Sequence, residues 1–372
     1  MELENYFLNK KEQMIDFLKE LVIRESPTDK KEEVDKCSTF LIKELKKLGL
    51  KIFRIKQKKV GDFFIAEYPG LTKEQILILA HLDTIWGKGK IEQMPFRIEG
   101  DKIFGPGVLD MKVGLTMIYY SFLGLKNLAL KPKKKICVFF NSEEETGSHY
   151  AERYIVDLAK KSKYVLCLEP SLPGGALKMQ RKGRIAARLE AIGKAAHGST
   201  PEKGINAILE LTNHLLYIKK LQTKGISVNV GLIKGGEKPN IVPGKAEAIL
   251  DIRFWKKEDK EKVIAFFKNL KPKLKGAKID FKVISYRPPM ERTKASQVLF
   301  RKIKKIAEEI GMELIWGKSS GGSDASFASN LDIPTADGLG PEGEGIHSEN
   351  EQLIIPSLIQ RTALLTKIIT QL

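Results

Sequence analysis

Ile76-Leu77-Ile78-Leu79-Ala80 runs without a polar residue into His81-Leu82-Asp83. Two other stretches repeat the plan: Ile136-Cys137-Val138-Phe139-Phe140 precedes Asn141-Ser142-Glu143-Glu144-Glu145, and Tyr164-Val165-Leu166-Cys167-Leu168 precedes Glu169-Pro170. Each run is too short for an ordinary helix and lacks the alternation of a half-exposed strand, so all three are predicted to be central strands buried on both faces. The amphipathic stretches between them, residues 111–127 and 146–160, read as crossover helices, and this alternation marks an α/β sheet. In open sheets of that kind ligands bind beyond the carboxyl ends of the strands. Here those ends carry histidine and carboxylates of metal-ligand type, so a crevice lined by such groups is expected.

Working toward the N-terminus, Met14, Phe17, Leu18, Leu21 and Val22 share one helical face until Ser26-Pro27 stops it. A second helix follows with Val34, Cys37, Leu41, Leu45 and Leu48 on one stripe and Gly49 as its terminator. On the other side the pattern changes near Arg181. Strands are expected at 185–192, 227–234, 246–254 and 279–285, with helices at 204–221 and 257–270. That is βαββαβ, the ferredoxin-like order. Residues 182–286 therefore read as a unit inserted between a first part, 1–181, and a second part, 287–372, of one larger α/β domain, which closes on a helix near 356–372. A chain of 372 residues is long enough to need two cores.

Composition narrows the class. Hydrophobic residues are 42% and charged residues 30%, and no uninterrupted apolar run approaches the roughly 20 residues that cross a bilayer. Residues 1–10 lack the basic-then-apolar layout of a secretion signal, so a cytoplasmic protein without membrane attachment is expected. Cys37, Cys137 and Cys167 are an odd set that reads as buried thiols, neither a disulfide framework nor a zinc site. The net charge of +18 comes from 64 Lys and Arg against 46 Asp and Glu. Its clusters, such as 131–135 and 301–305, are short and scattered among core residues, and no nucleic-acid motif accompanies them. They read as solvated faces, with attraction of acidic substrates as a secondary expectation.

Taken singly, the polar residues at the strand ends have ordinary explanations. His81 could be a core histidine, Asp110 the N-cap of the helix after it, Glu143 to Glu145 the acidic start of a helix, and His347 a loop residue. Glu169 is harder to dismiss, because an unpaired carboxylate beside a buried strand is costly. Together, two histidines and three or more carboxylates supply the nitrogen and oxygen ligands that a pair of zinc ions needs. Two metals sharing one carboxylate would sit about 3.5–4 Å apart and acidify a bridging water, leaving one further carboxylate to act as base.

The ordered set His81-x-Asp83, Gly105-Pro106-Gly107-Val108-Leu109-Asp110-Met111-Lys112-x-Gly114, Glu144-Glu145-x-Gly147-Ser148, Glu169-Pro170, Ala196-His197-Gly198-Ser199 and Gly345-Ile346-His347-Ser348 resembles the dinuclear zinc exopeptidase and deacylase family. That family includes glutamate carboxypeptidase, aminoacylase, acetylornithine deacetylase and succinyl-diaminopimelate desuccinylase. The likeness runs from about residue 10 to 370. It leans to the glutamate carboxypeptidase branch through Arg287-Pro288, Gly321-Gly322-Ser323-Asp324-Ala325 and Gly338-Leu339-Gly340.

The resemblance implies a mixed, mostly parallel central sheet flanked by helices, with 182–286 as a dimerisation domain. It implies two zinc ions per chain, with cobalt or manganese as substitutes: His81 and Glu169 on one, Glu145 and His347 on the other, Asp110 on both. Glu144 would be the general base, and Asp83 would orient the His81 ring. His197, with Asn240 nearby, would stabilise the oxyanion in the neighbouring subunit's site, while Arg287 and the backbone of Gly322 would hold the substrate's carboxylate and peptide. The implied reaction is hydrolysis of the amide that attaches a C-terminal, acidic amino acid to a peptide or acyl group; a deacylase of the acetylornithine or diaminopimelate type is the alternative. Glu143, His149 and His214 match no family ligand and are expected on solvated helix starts and surfaces.

Overall fold

Continuously apolar strands can be buried only where helices cover both faces of their sheet, and this happens in the first of two units into which residues 2–372, described by the computed structural model, divide. That unit takes the described residues up to Met179, with Arg292–Ser319 and Ser323–Leu372; the second takes Gln180–Glu291 with Ser320–Gly322.

In the first unit β1 (Lys51–Ile55), β2 (Phe63–Tyr68), β3 (Thr72–His81), β4 (Lys134–Asn141), β5 (Tyr164–Cys167) and the short strand Thr335–Ala336 form one sheet, in the order β1-β2-β4-β3-β5 followed by the short strand. The pairs β3–β4, β3–β5 and β5 with the short strand are parallel, while β1–β2 and β2–β4 are antiparallel, so the sheet is mixed and mostly parallel, as expected. Register matters for the chemistry. His81 pairs with Asn141 and Leu79 with Cys167, so the residues after β3, β4 and β5 emerge at one level.

The covering helices are α1 (Glu2–Leu8), α2 (Lys11–Val22), α3 (Lys31–Lys47), α4 (Val113–Asn127) and α5 (Glu152–Lys160), joined near the C-terminus by Ile355–Gln371. α3 buries Val34, Cys37, Leu41 and Leu45 and ends before Gly49, whose φ of 87° closes the helix at no steric cost. α4 is apolar on nearly every side because it lies in the core, packed on Ile355–Gln371. With its preceding turn, Val108–Asn127, it has the length and mean hydropathy of a membrane span, which the short apolar runs of the sequence did not suggest; 89% of that window is buried inside the fold. Each fully buried Leu, Ile or Phe here contributes ~1.5–3 kcal/mol. At the start of α4, Lys112 is buried too, and its Nζ donates to the carbonyls of Leu21 and Arg24 at 2.8 Å each, satisfying the C-terminal end of α2. The three cysteines are buried and form no disulfide.

The second unit runs β6 (Gly183–Ile192), α6 (Ala207–Ile218), β7 (Ile226–Gly235), β8 (Lys245–Phe254), α7 (Lys257–Lys268), β9 (Lys278–Arg287). Its antiparallel sheet has the order β7-β8-β6-β9, the ferredoxin-like arrangement. β8 is central and alternates between more and less buried positions; its buried Ala248, Leu250 and Ile252 form a separate core with Leu211 of α6 and Phe267 of α7.

The loop before β2 is fixed by charge. Lys31 Nζ lies 2.5 Å and Arg54 Nε 3.0 Å from the Asp62 carboxylate, which also accepts the Gln57 amide at 2.9 Å. The neighbouring Gly61 carbonyl accepts the Ser142 hydroxyl at 2.5 Å, so this cluster braces the loop after β4. Burial opposes ionisation of Asp62, but the Lys31 and Gln57 hydrogen bonds and the nearby cations outweigh it and hold the carboxyl below its usual 3.8. Since the folded value is the lower one, the stabilisation is complete above the unfolded value and disappears as pH falls through the folded one. Asp62→Asn should therefore cost about 1–3 kcal/mol at pH 7, with the gap to wild type closing on acidification toward about pH 2. Denaturant titrations across that range check this; a gap independent of pH would refute it.

Candidate functional site

His81 is the last residue of β3, and Glu169 follows β5 by two residues. Glu144 and Glu145 open a single helical turn after β4 (Glu144–Thr146), and Asp110 sits in the turn that leads into α4. His347 comes from a loop closed by Gly345 and stands at φ 63°, a left-handed conformation that side-chain-bearing residues rarely hold without a reason. The Asp110–Met111 peptide bond is cis.

These elements bring five of the expected residues together. His81 Nε2 lies 3.1 Å from Asp110 Oδ1 and 3.7 Å from Glu169 Oε1, and His347 Nε2 lies 3.4 Å from Asp110 Oδ2 and 3.2 Å from Glu145 Oε2. They make two triads, His81/Asp110/Glu169 and Asp110/Glu145/His347, and in each triad ligand-type atoms lie within 4.8 Å of one another. Asp110 belongs to both. Glu145 Oε1 is buried without a hydrogen-bond partner, a costly state for a carboxylate oxygen unless a cation faces it. The donor set and this orphaned atom both fit divalent metal ions with mixed nitrogen and oxygen ligation. Glu144 is adjacent, partly exposed and outside both triads.

Electrostatics follow from the crowding. Burial raises the Glu145 carboxyl to about 7 despite its hydrogen bond with His347, and the Asp110 charge adds to the rise. Burial also opposes ionisation of Asp110, yet bonds to His347 and His81 pull it far below the ordinary carboxylate range. The bonds to Asp110 and Glu145 raise His347 to about 10. In His81, burial disfavours the charged ring, but Asp110 and Asp83 overcome it and hold its pKa well above the usual value.

Asp83 does more than the sequence suggested. The His81 ring is oriented chiefly by the Asp83 backbone carbonyl, 2.9 Å from Nδ1, with the carboxylate at 3.5 Å. The carboxylate itself accepts the backbone amides of Glu144 and Glu145 at 3.1 and 3.2 Å and the Thr28 hydroxyl at 2.8 Å. It thus ties the end of β3 to the turn carrying the two glutamates. The same loop is held from the far side by Asp324, which accepts from Asn141 Nδ2 at 2.7 Å and Ser148 Oγ at 2.5 Å. Behind Glu169, Gly340 donates to the Glu169 carbonyl at 2.9 Å, and a Cβ there would stand 2.7 Å from that oxygen, so only glycine allows the approach.

In the second unit a two-residue ladder pairs His197 with Ile241 and Ala196 with Val242, and Gly198 donates to the Asn240 carbonyl at 2.7 Å, so His197 and Asn240 share one exposed corner. The Ser199 amide donates to His197 Nδ1 at 3.2 Å, which places the proton of the neutral ring on Nε2. Arg287 ends β9 and packs against Gly322, where an added Cβ would meet Arg287 Cδ at 3.0 Å. Arg181, which the sequence did not single out, donates from Nη1 to the Gly322 carbonyl at 2.7 Å.

Two expectations of solvated residues are corrected. Glu143 is buried: its carboxylate accepts the amides of Tyr150 and Ala151 at the start of α5, and burial raises it to about 7. The turn it stabilises delays α5 to Glu152, later than the helix expected from residue 146. His214 is fully buried and bonds through Nε2 to Glu210 at 2.8 Å; Glu210 in turn accepts the Lys273 and Leu274 amides, an internal polar network that helical periodicity cannot distinguish from a solvent face. His149 is exposed, as expected.

Residues 77–371 match the model of peptidase family M20/M25/M40. The chain is 31% identical to carboxypeptidase G2 of Pseudomonas sp. (strain RS-16) over 357 residues, covering 94% of this chain and 86% of that one. Among solved structures, aminopeptidase PepT from Bacillus cereus superposes with a TM-score of 0.78 at 22% identity, over 97% of this chain and 98% of that one. A dinuclear metal-binding peptidase of the M20 family from Bacillus subtilis does so with a TM-score of 0.71 at 16% identity, over 97% of each chain. The matched span takes in both triads as well as the inserted unit, and the chain therefore belongs to peptidase family M20/M25/M40, a metal-dependent hydrolase family.

Proposed function

We propose that the chain hydrolyses the amide linking a C-terminal, acidic amino acid to a peptide or acyl group, using two zinc ions, with cobalt or manganese able to substitute. The observation that carries this reading is the pair of triads sharing Asp110. His81 and Glu169 would hold one ion, Glu145 and His347 the other, and Asp110 both. When bound, such a pair polarises the scissile carbonyl and brings the pKa of a water toward about 7. Glu144, outside both triads, takes the proton of the attacking water and delivers it to the leaving nitrogen. Asp83 keeps that glutamate and His81 in place. Similarity to carboxypeptidase G2 favours release of a C-terminal residue, and the net charge of +18 favours an acidic one.

Arg287 would pair the substrate's terminal carboxylate through its planar fork, beside the Gly322 backbone that Arg181 holds. The inserted unit would form a homodimer. Edge strand β7 exposes Val230, Leu232 and Ile233, and α6 exposes Leu209 and Leu216, an apolar display that a second copy would cover. Across that dimer His197 Nε2–H would donate to the oxyanion in the partner's site.

Metal-saturated protein should hold two ions per chain by elemental analysis, and Glu144→Gln should keep both while kcat falls by ~10²–10⁴; one ion per chain, or a variant near wild-type turnover, would overturn the assignment. On a panel of acyl-Glu, acyl-Asp, acetylornithine and small peptides, the acidic acyl amino acids should be cleaved best. Arg287→Ala should raise KM for these free acids and leave their amides unaffected; equal losses would remove the carboxylate-binding role. Glu144→Gln and His197→Ala chains should each be inactive alone and regain activity when co-refolded. Heterodimers that form yet stay inactive would confine His197 to its own subunit.

A further inference from the structure

The loop that carries His347 ends at Glu351, and Glu351 is fully buried. The loop is closed on that residue: Ser348 donates its amide to the Gly345 carbonyl at 2.8 Å, and Glu351 donates to the Ser348 carbonyl at 3.0 Å. Gly345, at φ 75°, lies so close that a Cβ there would stand 2.9 Å from the Glu351 nitrogen. Any shift of Glu351 is therefore passed to His347.

The Glu351 side chain reaches the opposite loop. Oε1 accepts the backbone amides of Leu109 and Asp110 at 2.9 and 3.0 Å, and Oε2 accepts the Gly107 amide at 2.9 Å and Trp86 Nε1 at 2.8 Å. Four donors converge on one carboxylate, and one of them is the amide of the residue common to both triads. A helix cap would need only the amides of the turn entering α4. Here the cap is supplied from the His347 loop, so the same group fixes the spacing of Asp110 and His347, whose side chains approach to 3.4 Å.

We infer that Glu351 is a positioning residue for the metal pair: it holds the bridging carboxylate and the His347 ligand in register through their backbones. The inference rests on the two-metal reading above. Partners of this kind behind a metal ligand typically change metal affinity by about 10–100-fold when removed.

The test measures zinc affinity of metal-free protein by competition with a chromophoric chelator, alongside thermal melting of the same metal-free samples. In Glu351→Gln the side chain keeps its length but turns an NH2 group toward amides that also donate. Its zinc affinity should fall at least about tenfold while the fold persists. Trp86→Phe removes one of the four donors and should lower affinity in the same direction by less; it decides the matter if Glu351→Gln does not fold. A purely structural cap would lower the melting temperature and leave the zinc affinity of folded protein unchanged, and that result in both variants, or in Trp86→Phe alone where Glu351→Gln does not fold, overturns the inference. Wild-type protein that binds no zinc would instead remove the metal reading, and this inference with it.

Discussion

Asp110 faces His81 on one side and His347 on the other, and the compensation of its buried charge is the condition on which the site depends. Three carboxylates and two imidazoles converge at the strand ends, with all but His347 and part of Glu145 withdrawn from water. Negative charge in such a place is tolerated only if cations offset it. In the protein by itself the imidazoles carry that burden, which is why both are driven toward the protonated form while Asp110 is driven the other way. Divalent ions would relieve the same electrostatic demand with more charge, between ligand-type atoms that already lie within 4.8 Å of one another in each triad.

Holding such groups in place requires a rigid frame, and the protein builds it with other carboxylates. Asp83, Glu143, Glu351 and Asp324 are buried, and each spends its oxygens on donors of a neighbouring loop. Hydrogen bonds to a charged acceptor are stronger than neutral ones, and a buried acceptor left unpaired is penalised, so each of these loops has one favoured position. The sheet supplies the common level, and the carboxylates set the loops relative to it.

Much of this was legible in the sequence. The three apolar runs became β3, β4 and β5 because burial on both faces leaves no polar position to alternate, and the βαββαβ order followed from the period changing between two and 3.6. The ligand-type residues stood at the ends of those runs. What stayed hidden was polar burial. Glu143 and His214 looked like surface residues because a charge pattern along one chain does not reveal which partners the fold will bring, and those partners are backbone amides or a side chain one turn away. Glu351 and Arg181 escape notice for the same reason: most of their partners are main-chain atoms, which leave no trace in residue identity. Asp83 is legible as a support for His81, but the amides of Glu144 and Glu145 meet its carboxylate only through the fold.

The spread of the site along the chain has a consequence for how the molecule comes into being. His81, Asp110, Glu145 and Glu169 precede the inserted unit, whereas His347 and the Glu351 that steadies its loop follow it. Synthesis proceeds from the N-terminus and domains tend to fold as units when they emerge. The inserted ferredoxin-like unit is available before His347 has been made, while the larger unit has to wait for its C-terminal segments to supply Thr335–Ala336 for its sheet and the helix packed on α4. A nascent chain thus carries four of the five clustered groups but not the constellation. The site can therefore assemble only once the segment after the inserted unit has been made, a temporal order imposed by the discontinuity of the larger unit.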